Sequence, residues 1–174
     1  MTRDELAKSL YEAAYITGDF LLRSGERSNE YFDKYRFESQ PSLLKQIGAN
    51  LAPLVPEGTE VLAGLEMGGI PIAVSLSFAT GLPVVFVRKE AKSYGTCQFA
   101  EGLDIKGKKL CVIEDVITTG GQVIQSTKDL RDNGALIQDV LCVLYRGQGE
   151  PTKLHEIDLK MKALFTMDEI KGSQ

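Results

Sequence analysis

The stretch Lys109-Leu-Cys-Val-Ile-Glu-Asp-Val-Ile-Thr-Thr-Gly-Gly121 decides how this chain is read: an apolar run closes on two carboxylates and then on a hydroxyl-rich glycine turn. Leu110 to Ile113 form a short continuous apolar run, the pattern of a strand buried on both faces of a parallel sheet. Glu114 and Asp115 then fall at its carboxyl end. That edge is where ligands bind in open α/β sheets, and acidic side chains there accept hydrogen bonds from vicinal ribose hydroxyls. Thr118 to Gly121 lead into a predicted helix through Val123, Ile124, Thr127 and Leu130. Backbone N–H groups at such a helix start, with threonine hydroxyls and glycines that let the backbone come close, suit a dianionic phosphate. The stretch thus reads as a place for a sugar at one end and a phosphate at the other. A helix cap followed by a plain turn would use some of these residues, but would not require all of them together. Other nucleotide loops fit worse, since the chain has neither Gly-x-x-x-x-Gly-Lys-Ser/Thr nor Gly-x-Gly-x-x-Gly.

Outward from this strand the pattern repeats. Apolar runs near Val61 to Leu65, Val84 to Val87, Val140 to Tyr145 and Met161 to Phe165 are separated by helix-like segments or loops. Such alternation predicts an α/β fold, a mainly parallel twisted sheet flanked by helices on both faces. Ahead of it, Thr2-Arg-Asp-Glu5 fits a capping box before a helix with Leu6, Leu10, Ala13 and Ala14 on one face. Short strands and turns are expected from about 19 to 37. A second helix starts at Pro41, buries Leu43, Leu44, Ile47, Leu51 and Leu54, and ends at Pro53 and Pro56.

A length of 174 residues suits a single domain, and 43% hydrophobic with 25% charged residues is ordinary globular composition. The formal charge of −4 gives no general basic footprint for nucleic acid, so a small-molecule partner is favoured. No apolar stretch is long enough to cross a bilayer, and the polar start Met-Thr-Arg-Asp-Glu is not the pattern of a signal peptide. The cytosol is the expected compartment. Cys97, Cys111 and Cys142 lack Cys-x-x-Cys spacing, and the last two lie in apolar strand patterns as reduced core residues. The single His155 lies in a polar segment and reads as a solvated side chain, with no histidine-cysteine constellation for a metal.

Two loops are expected to converge on the carboxyl edge of the sheet. In Gly64-Leu-Glu-Met-Gly-Gly69 a strand gives way to a helix carrying Ile70, Ala73, Val74 and Phe78. Its adjacent glycines serve equally for exposing N–H groups to a diphosphate or for a close-packed strand-to-helix turn. The segment from Arg88 to about Leu103 has no clear period, and structureless loops beyond roughly 12–15 residues are often lids or binding loops. Arg88, Lys89 and Lys92 place cations near its start, directly after a buried strand.

Val112-Ile-Glu-Asp-Val-Ile-Thr-Thr-Gly-Gly121 resembles the signature of the type I phosphoribosyltransferases, which move the ribose phosphate of 5-phosphoribosyl 1-diphosphate (PRPP) onto a nitrogen base. Phe20-Leu-Leu-Arg-Ser-Gly-Glu-Arg-Ser-Asn-Glu-Tyr-Phe-Asp33 and Val87-Arg-Lys-Glu-Ala-Lys-Ser-Tyr-Gly95 resemble the amino-terminal substrate segment and mobile catalytic loop of the orotate-specific branch. The likeness spans nearly the whole chain. It implies one phosphoribosyltransferase domain over residues 1–174, with about 1–37 forming a small amino-terminal hood over the base.

The resemblance also implies roles. Glu114, Asp115, Val116, Ile117, Thr118, Thr119, Gly120, Gly121 and Gln122 would bind PRPP, with Glu66, Met67, Gly68 and Gly69 as the diphosphate loop. Arg88, Lys89 and Lys92 would be the catalytic cations, Lys92 the main one. Lys89 would touch diphosphate, while Arg88 and Lys92 would cross the interface of a homodimer to the partner's substrate. Tyr94 stands where a histidine is usual; a tyrosine can donate a hydrogen bond to a phosphate oxygen but carries no positive charge near neutral pH. Arg146, Thr118, Arg23, Tyr31 and Phe32 match positions that contact orotate, a planar carboxylated pyrimidine suited to a guanidinium fork. Tyr145 replaces an acidic residue common before that arginine. Mg²⁺ would enter on the diphosphate, with no direct protein ligand. A purine phosphoribosyltransferase and a non-catalytic ligand sensor of the same fold are the alternatives. The Arg23-Ser-Gly25 segment and Arg146 weigh against the first, and the lack of spare length for a nucleic-acid-binding module against the second.

Overall fold

The computed structural model describes residues 1–21, 25–90 and 99–173. A helix opens the chain (α1, Arg3–Ala14), capped as expected: Thr2 N–H donates to Glu5 Oε2 at 2.8 Å and Glu5 N–H to Thr2 Oγ1 at 3.2 Å. The reciprocal bonds satisfy two backbone donors that the first turn would otherwise leave orphaned. Leu6, Ala7, Leu10 and Ala14 are its buried face. An antiparallel hairpin follows (β1, Tyr15–Leu21; β2, Arg27–Phe32), starting earlier than the expected position 19. Then come a single helical turn (α2, Tyr35–Glu38) and the second expected helix (α3, Pro41–Leu51), which tightens into a 3₁₀ turn over Ala52–Leu54. Leu43, Ile47 and Leu51 are buried, while Leu44 and Leu54 are only half-buried against the core edge.

The main sheet has six strands: β3 (Val61–Leu65), β4 (Val84–Val87), β5 (Ala100–Glu101), β6 (Lys109–Ile117), β7 (Leu136–Tyr145) and β8 (Lys160–Thr166). Their order is β5-β4-β3-β6-β7-β8, and every pairing is parallel except β4 with β5. The short β5 lies inside the segment expected to lack structure; it pairs Phe86 with Glu101 and Val87 with Ala100. All five predicted apolar runs are strands of this sheet. The helices are α4 (Gly69–Thr80), α5 (Gly121–Asp132), α6 (Thr152–His155) and α7 (Met167–Gly172).

Two cores cover the two faces. Residues of α1, α3, α4 and α7 bury Leu62, Cys111, Ile113, Leu141 and Val143, while α5 and Leu154 of α6 bury Val61, Ala63, Leu110, Val112 and Val140. This is the pleat at work: successive side chains of a strand point to opposite faces, so a strand buried on both must be apolar throughout. On α4 the buried side is Ile72, Ala73 and Leu76, and Phe78 faces outward, 87% exposed. Among the described residues no helix is long and apolar enough to cross a membrane.

The strand order reverses between β3 and β6. From β3 the chain proceeds to β4 on one side, and from β6 to β7 on the other. The helix after β3 covers one face and the helix after β6 the opposite face, so the loops at their starts splay apart and open a crevice at the carboxyl edge.

Candidate active site

Strand β6 is longer than its apolar run suggests and carries Glu114 and Asp115 inside it rather than beyond it. Its pairing with β3 stops at Gly64 and Ile113, whereas its pairing with β7 runs on to Ile117 and Tyr145. Residues 114–117 therefore have one edge turned toward the loop after β3. There Glu66, Met67, Lys89, Thr118, Thr119 and Gln122 bound a cavity of about 480 Å³, with Glu114, Asp115, Val116, Ile117, Gly120 and Gly121 also in its wall. Distant segments singled out in the sequence thus meet at one place.

At the phosphate end, Gly120 has φ +75°, a left-handed conformation that glycine adopts without steric cost, and α5 starts directly after it. Ile124 N–H donates to Gly120 O at 2.9 Å, so the helix is formed from its first turn and the N–H groups ahead of that bond lie at its positive end. Thr118 and Thr119 are exposed at the mouth, while Val123, Thr127 and Leu130 of the predicted helix are buried and Ile124 is half-buried. Lys89 N–H donates to Glu66 Oε1 at 2.5 Å, joining the start of the loop after β4 to the loop after β3.

The acidic end is buried: Glu114 is 8% exposed and Asp115 only 1%. Glu114 Oε1 accepts the Asp115 N–H at 2.9 Å, and Asp115 Oδ1 accepts the Val116 N–H. The Lys34 ammonium forms an ion pair with Asp115 Oδ2. Burial pushes the Glu114 carboxyl up to about 9, helped by the charge of Asp115. Burial also works against ionised Asp115, but hydrogen bonds from Glu114, Lys34 and Glu38 outweigh it and hold Asp115 below the usual carboxylate range. Burial likewise disfavours charged Lys34, and the Asp115 carboxylate reverses that and raises it. The result is one fixed carboxylate among groups that donate to it.

Lys34, Tyr35 and Glu38 carried no sequence signal of a site. Lys34 and Tyr35 line the cavity, and Lys34 lies over the Tyr35 ring, 5.1 Å from its centroid. The one available hint was the i, i+4 spacing of Lys34 and Glu38 around buried Phe37, which aligns them on one side of a helical turn.

The two glycines of the loop after β3 are a packing device. A Cβ on Gly69 would stand 2.3 Å from the Ile113 carbonyl oxygen, and one on Gly68 1.6 Å from Asp115 Oδ2. Close packing against β6 is one of the two uses that the sequence left open, and the loop's Glu66 and Met67 line the cavity. Arg88 does not line the cavity; its N–H donates to Phe99 O at 3.0 Å.

Arg146 follows β7, is exposed, and lines an adjoining cavity of about 330 Å³ that shares Thr118 and Thr119 with the first. Its N–H donates to Ile117 O at 2.8 Å, fixing the chain beside the end of β6. Tyr31 and Phe32 line neither cavity. Phe32 is buried against Phe37 with ring centroids 6.2 Å apart, and Tyr31, 44% exposed, lies against Phe20 at 5.5 Å. Arg23, Lys92, Tyr94 and Cys97 lie outside the described residues. Cys111 and Cys142 are buried and their thiols are pushed up, chiefly by burial; His155 is exposed.

A doubly wound parallel sheet with an acidic strand end, a Thr-Thr-Gly-Gly helix start and a facing lysine defines a phosphoribosyl-transferring protein, and the chain belongs to the phosphoribosyl transferase domain family, whose pattern matches residues 36–167. Within that family its full-length relatives include orotate phosphoribosyltransferases. The enzyme so named from Nocardioides sp. is 43% identical over 175 residues, covering 100% of this chain and 98% of the relative. That from Methanocella arvoryzae is 40% identical, covering 97% of each. The crystal structure of Mycobacterium tuberculosis orotate phosphoribosyltransferase superposes with a TM-score of 0.88 at 26% identity, over 97% of this chain and 98% of that one.

Proposed function

We propose that this chain is an orotate phosphoribosyltransferase, forming orotidine 5′-phosphate and diphosphate from PRPP and orotate in pyrimidine nucleotide synthesis. The observation that carries this is the meeting of the β6 acidic pair, the Thr118 to Gln122 helix start and Lys89 around one cavity at the strand-order reversal. Full-length relatives of that name support it.

In this mechanism a ring nitrogen of orotate bonds to C1 of the ribose as the bond from C1 to the diphosphate oxygen breaks, and the electron pair leaves with diphosphate. Negative charge grows on the leaving group and positive charge on the ring. The helix start from Thr118 to Gln122 holds the 5′-phosphate, and Glu114 and Asp115 take the ribose hydroxyls. Lys89 stands across the cavity, where fixed positive charge stabilises the departing diphosphate without reorganisation. No protein nucleophile is needed. Arg146 and Thr118 grip the orotate carboxylate and ring edge, and Arg23 and Tyr31 of the amino-terminal hood, about residues 1–37, are its further base contacts, with Phe32, buried against Phe37, supporting the hood from behind. Arg88 and Lys92 complete the neighbouring site of a homodimer working in the cytosol.

Mg²⁺ fits this site through the diphosphate. It favours one or two carboxylates at most together with waters and substrate phosphates. Asp115 is 1% exposed with its Oδ2 held by Lys34, and Glu114 Oε1 is occupied by a backbone N–H, so the phosphates are the open ligands. Bound there, the ion offsets the charge of the leaving group.

The test is diphosphate release from PRPP and Mg²⁺ with orotate, uracil, adenine, guanine, hypoxanthine or xanthine offered separately. Release with orotate alone is expected. Release only with a purine would retain the sugar-phosphate site and discard the base pocket, and release with none would leave a ligand sensor.

A further inference from the structure

Lys34 and Glu38 take no part in the transfer as described, yet both end on Asp115. Lys34 stands at the start of α2, just after the hairpin strand that carries Tyr31 and Phe32, and its Nζ meets Asp115 Oδ2. Glu38, one turn on, is 8% exposed, its Oε1 is buried without a hydrogen-bond partner, and its carboxyl is raised by burial and by the neighbouring Asp115. Gly68 closes the remaining side, near enough that no side chain fits between the loop and Oδ2.

A carboxylate only 1% exposed is not presented bare to a ligand. What the cavity meets at this end is the Lys34 side chain, 31% exposed and part of the lining. An ammonium has three N–H donors, and one directed at Asp115 leaves two for the cavity. The carboxylate, with about four lone-pair sites, is able to accept from the ammonium and from a ribose hydroxyl together. Positive charge in a partly desolvated wall is also stronger toward a phosphate oxygen than the same charge in water.

We propose that Lys34 is a further substrate-positioning residue of the sugar-diphosphate site: anchored on Asp115 and backed by Glu38, it directs its free N–H groups at an oxygen of bound PRPP. This rests on the sugar-diphosphate assignment of the cavity.

The experiment compares wild type, Lys34→Met, which keeps the stem and loses the charge, and Lys34→Arg, which keeps the charge. PRPP binding is measured by calorimetry with Mg²⁺, alongside KM for both substrates and the thermal midpoint. In Lys34→Met the Kd for PRPP is expected to rise at least about tenfold, or about 1.4 kcal/mol. The KM for orotate should change less than about twofold, and Lys34→Arg should recover most of the PRPP affinity. Wild-type PRPP affinity in Lys34→Met would overturn the proposal. So would equal losses for both substrates with a lowered midpoint and no recovery by arginine, the pattern of a purely structural pin. Should Lys34→Met not fold, Lys34→Gln, which still donates to Asp115 without the charge, carries the same comparison. Wild type that binds no PRPP would overturn the cavity assignment itself, and that result is distinct from a failure confined to the variants.

Discussion

Gly69 lies against the carbonyl oxygen of Ile113 so closely that a Cβ would stand 2.3 Å from it. The loop after β3 thereby seats directly on β6 and forms the cavity wall opposite the helix start of α5. Gly69→Ala has to push backbone away from backbone, and overpacking of this kind costs about 1–3 kcal/mol. Urea unfolding is expected to show a lowered midpoint with an unchanged slope. A midpoint equal to that of wild type would mean that the loop is not seated as described.

Gly120 presents a second backbone constraint. Its φ of +75° is strained for any residue with a side chain, and a Cβ there would come 2.8 Å from Leu154 Cδ2. Gly120→Ala should cost about 1–2 kcal/mol and tilt the helix start that holds the phosphate. The expected outcome is a raised KM for PRPP together with a lower thermal midpoint; a change in neither refutes it.

The buried acids predict an unusual dependence on pH. Burial first, and then hydrogen bonding and charge from Asp115, raise Glu38 to about 8, with Lys34 opposing and Asp33 adding to the rise. From its ordinary value of 4.5 up to about 8 the folded state keeps a proton that the unfolded chain has lost. Stability tied to Glu38 is therefore fully present below pH 4.5 and declines as pH rises toward 8. Glu114, raised to about 9, acts with the same sign. Glu38→Gln removes one of these protons, so the fall in thermal midpoint between pH 5 and 8 should be shallower, by about 2–4 °C for each kcal/mol removed. A slope as steep as wild type would show that Glu38 does not hold its proton.

Arg146 is exposed, and among the described residues its hydrogen bonding is confined to its backbone, so its side chain is available to a ligand without a structural duty. Losing a charge-assisted hydrogen bond costs about 1.5–3 kcal/mol. Arg146→Ala should raise the KM for orotate about tenfold or more and leave the thermal midpoint in place. An unchanged KM would remove Arg146 from the base pocket.

Lys89 meets Glu66 through its backbone, which Lys89→Ala leaves intact. Steady-state kinetics are expected to show turnover reduced about tenfold with normal stability, because only charge toward the leaving diphosphate is lost. Normal turnover would place the work on other cations, Lys92 first.

What the sequence determined by itself is whatever local chemistry encodes. The five apolar runs, the capping box at Thr2 and Glu5, the helix after Gly120 and the acidic pair of β6 all depend on neighbours within a few positions. Periodicity and capping express such proximity directly. The length of β6 was less legible, because Glu114 and Asp115 are stabilised as strand residues by β7 and not by their own propensity. The two-residue β5 exists only because β4 offers it an edge.

Only the tertiary structure decided which segments meet. The reversal of strand order between β3 and β6 follows from how strands add to a sheet, and no local pattern records it. Gly68 and Gly69 read alike as anion loop or tight turn, and their close approach to Ile113 and Asp115 exists only in three dimensions. Lys34 and Glu38 look like ordinary solvated charges in the sequence. Phe37 between them is drawn into the core, which turns that helical turn toward Asp115, where a buried charge must find its partners and Lys34 enters the cavity wall.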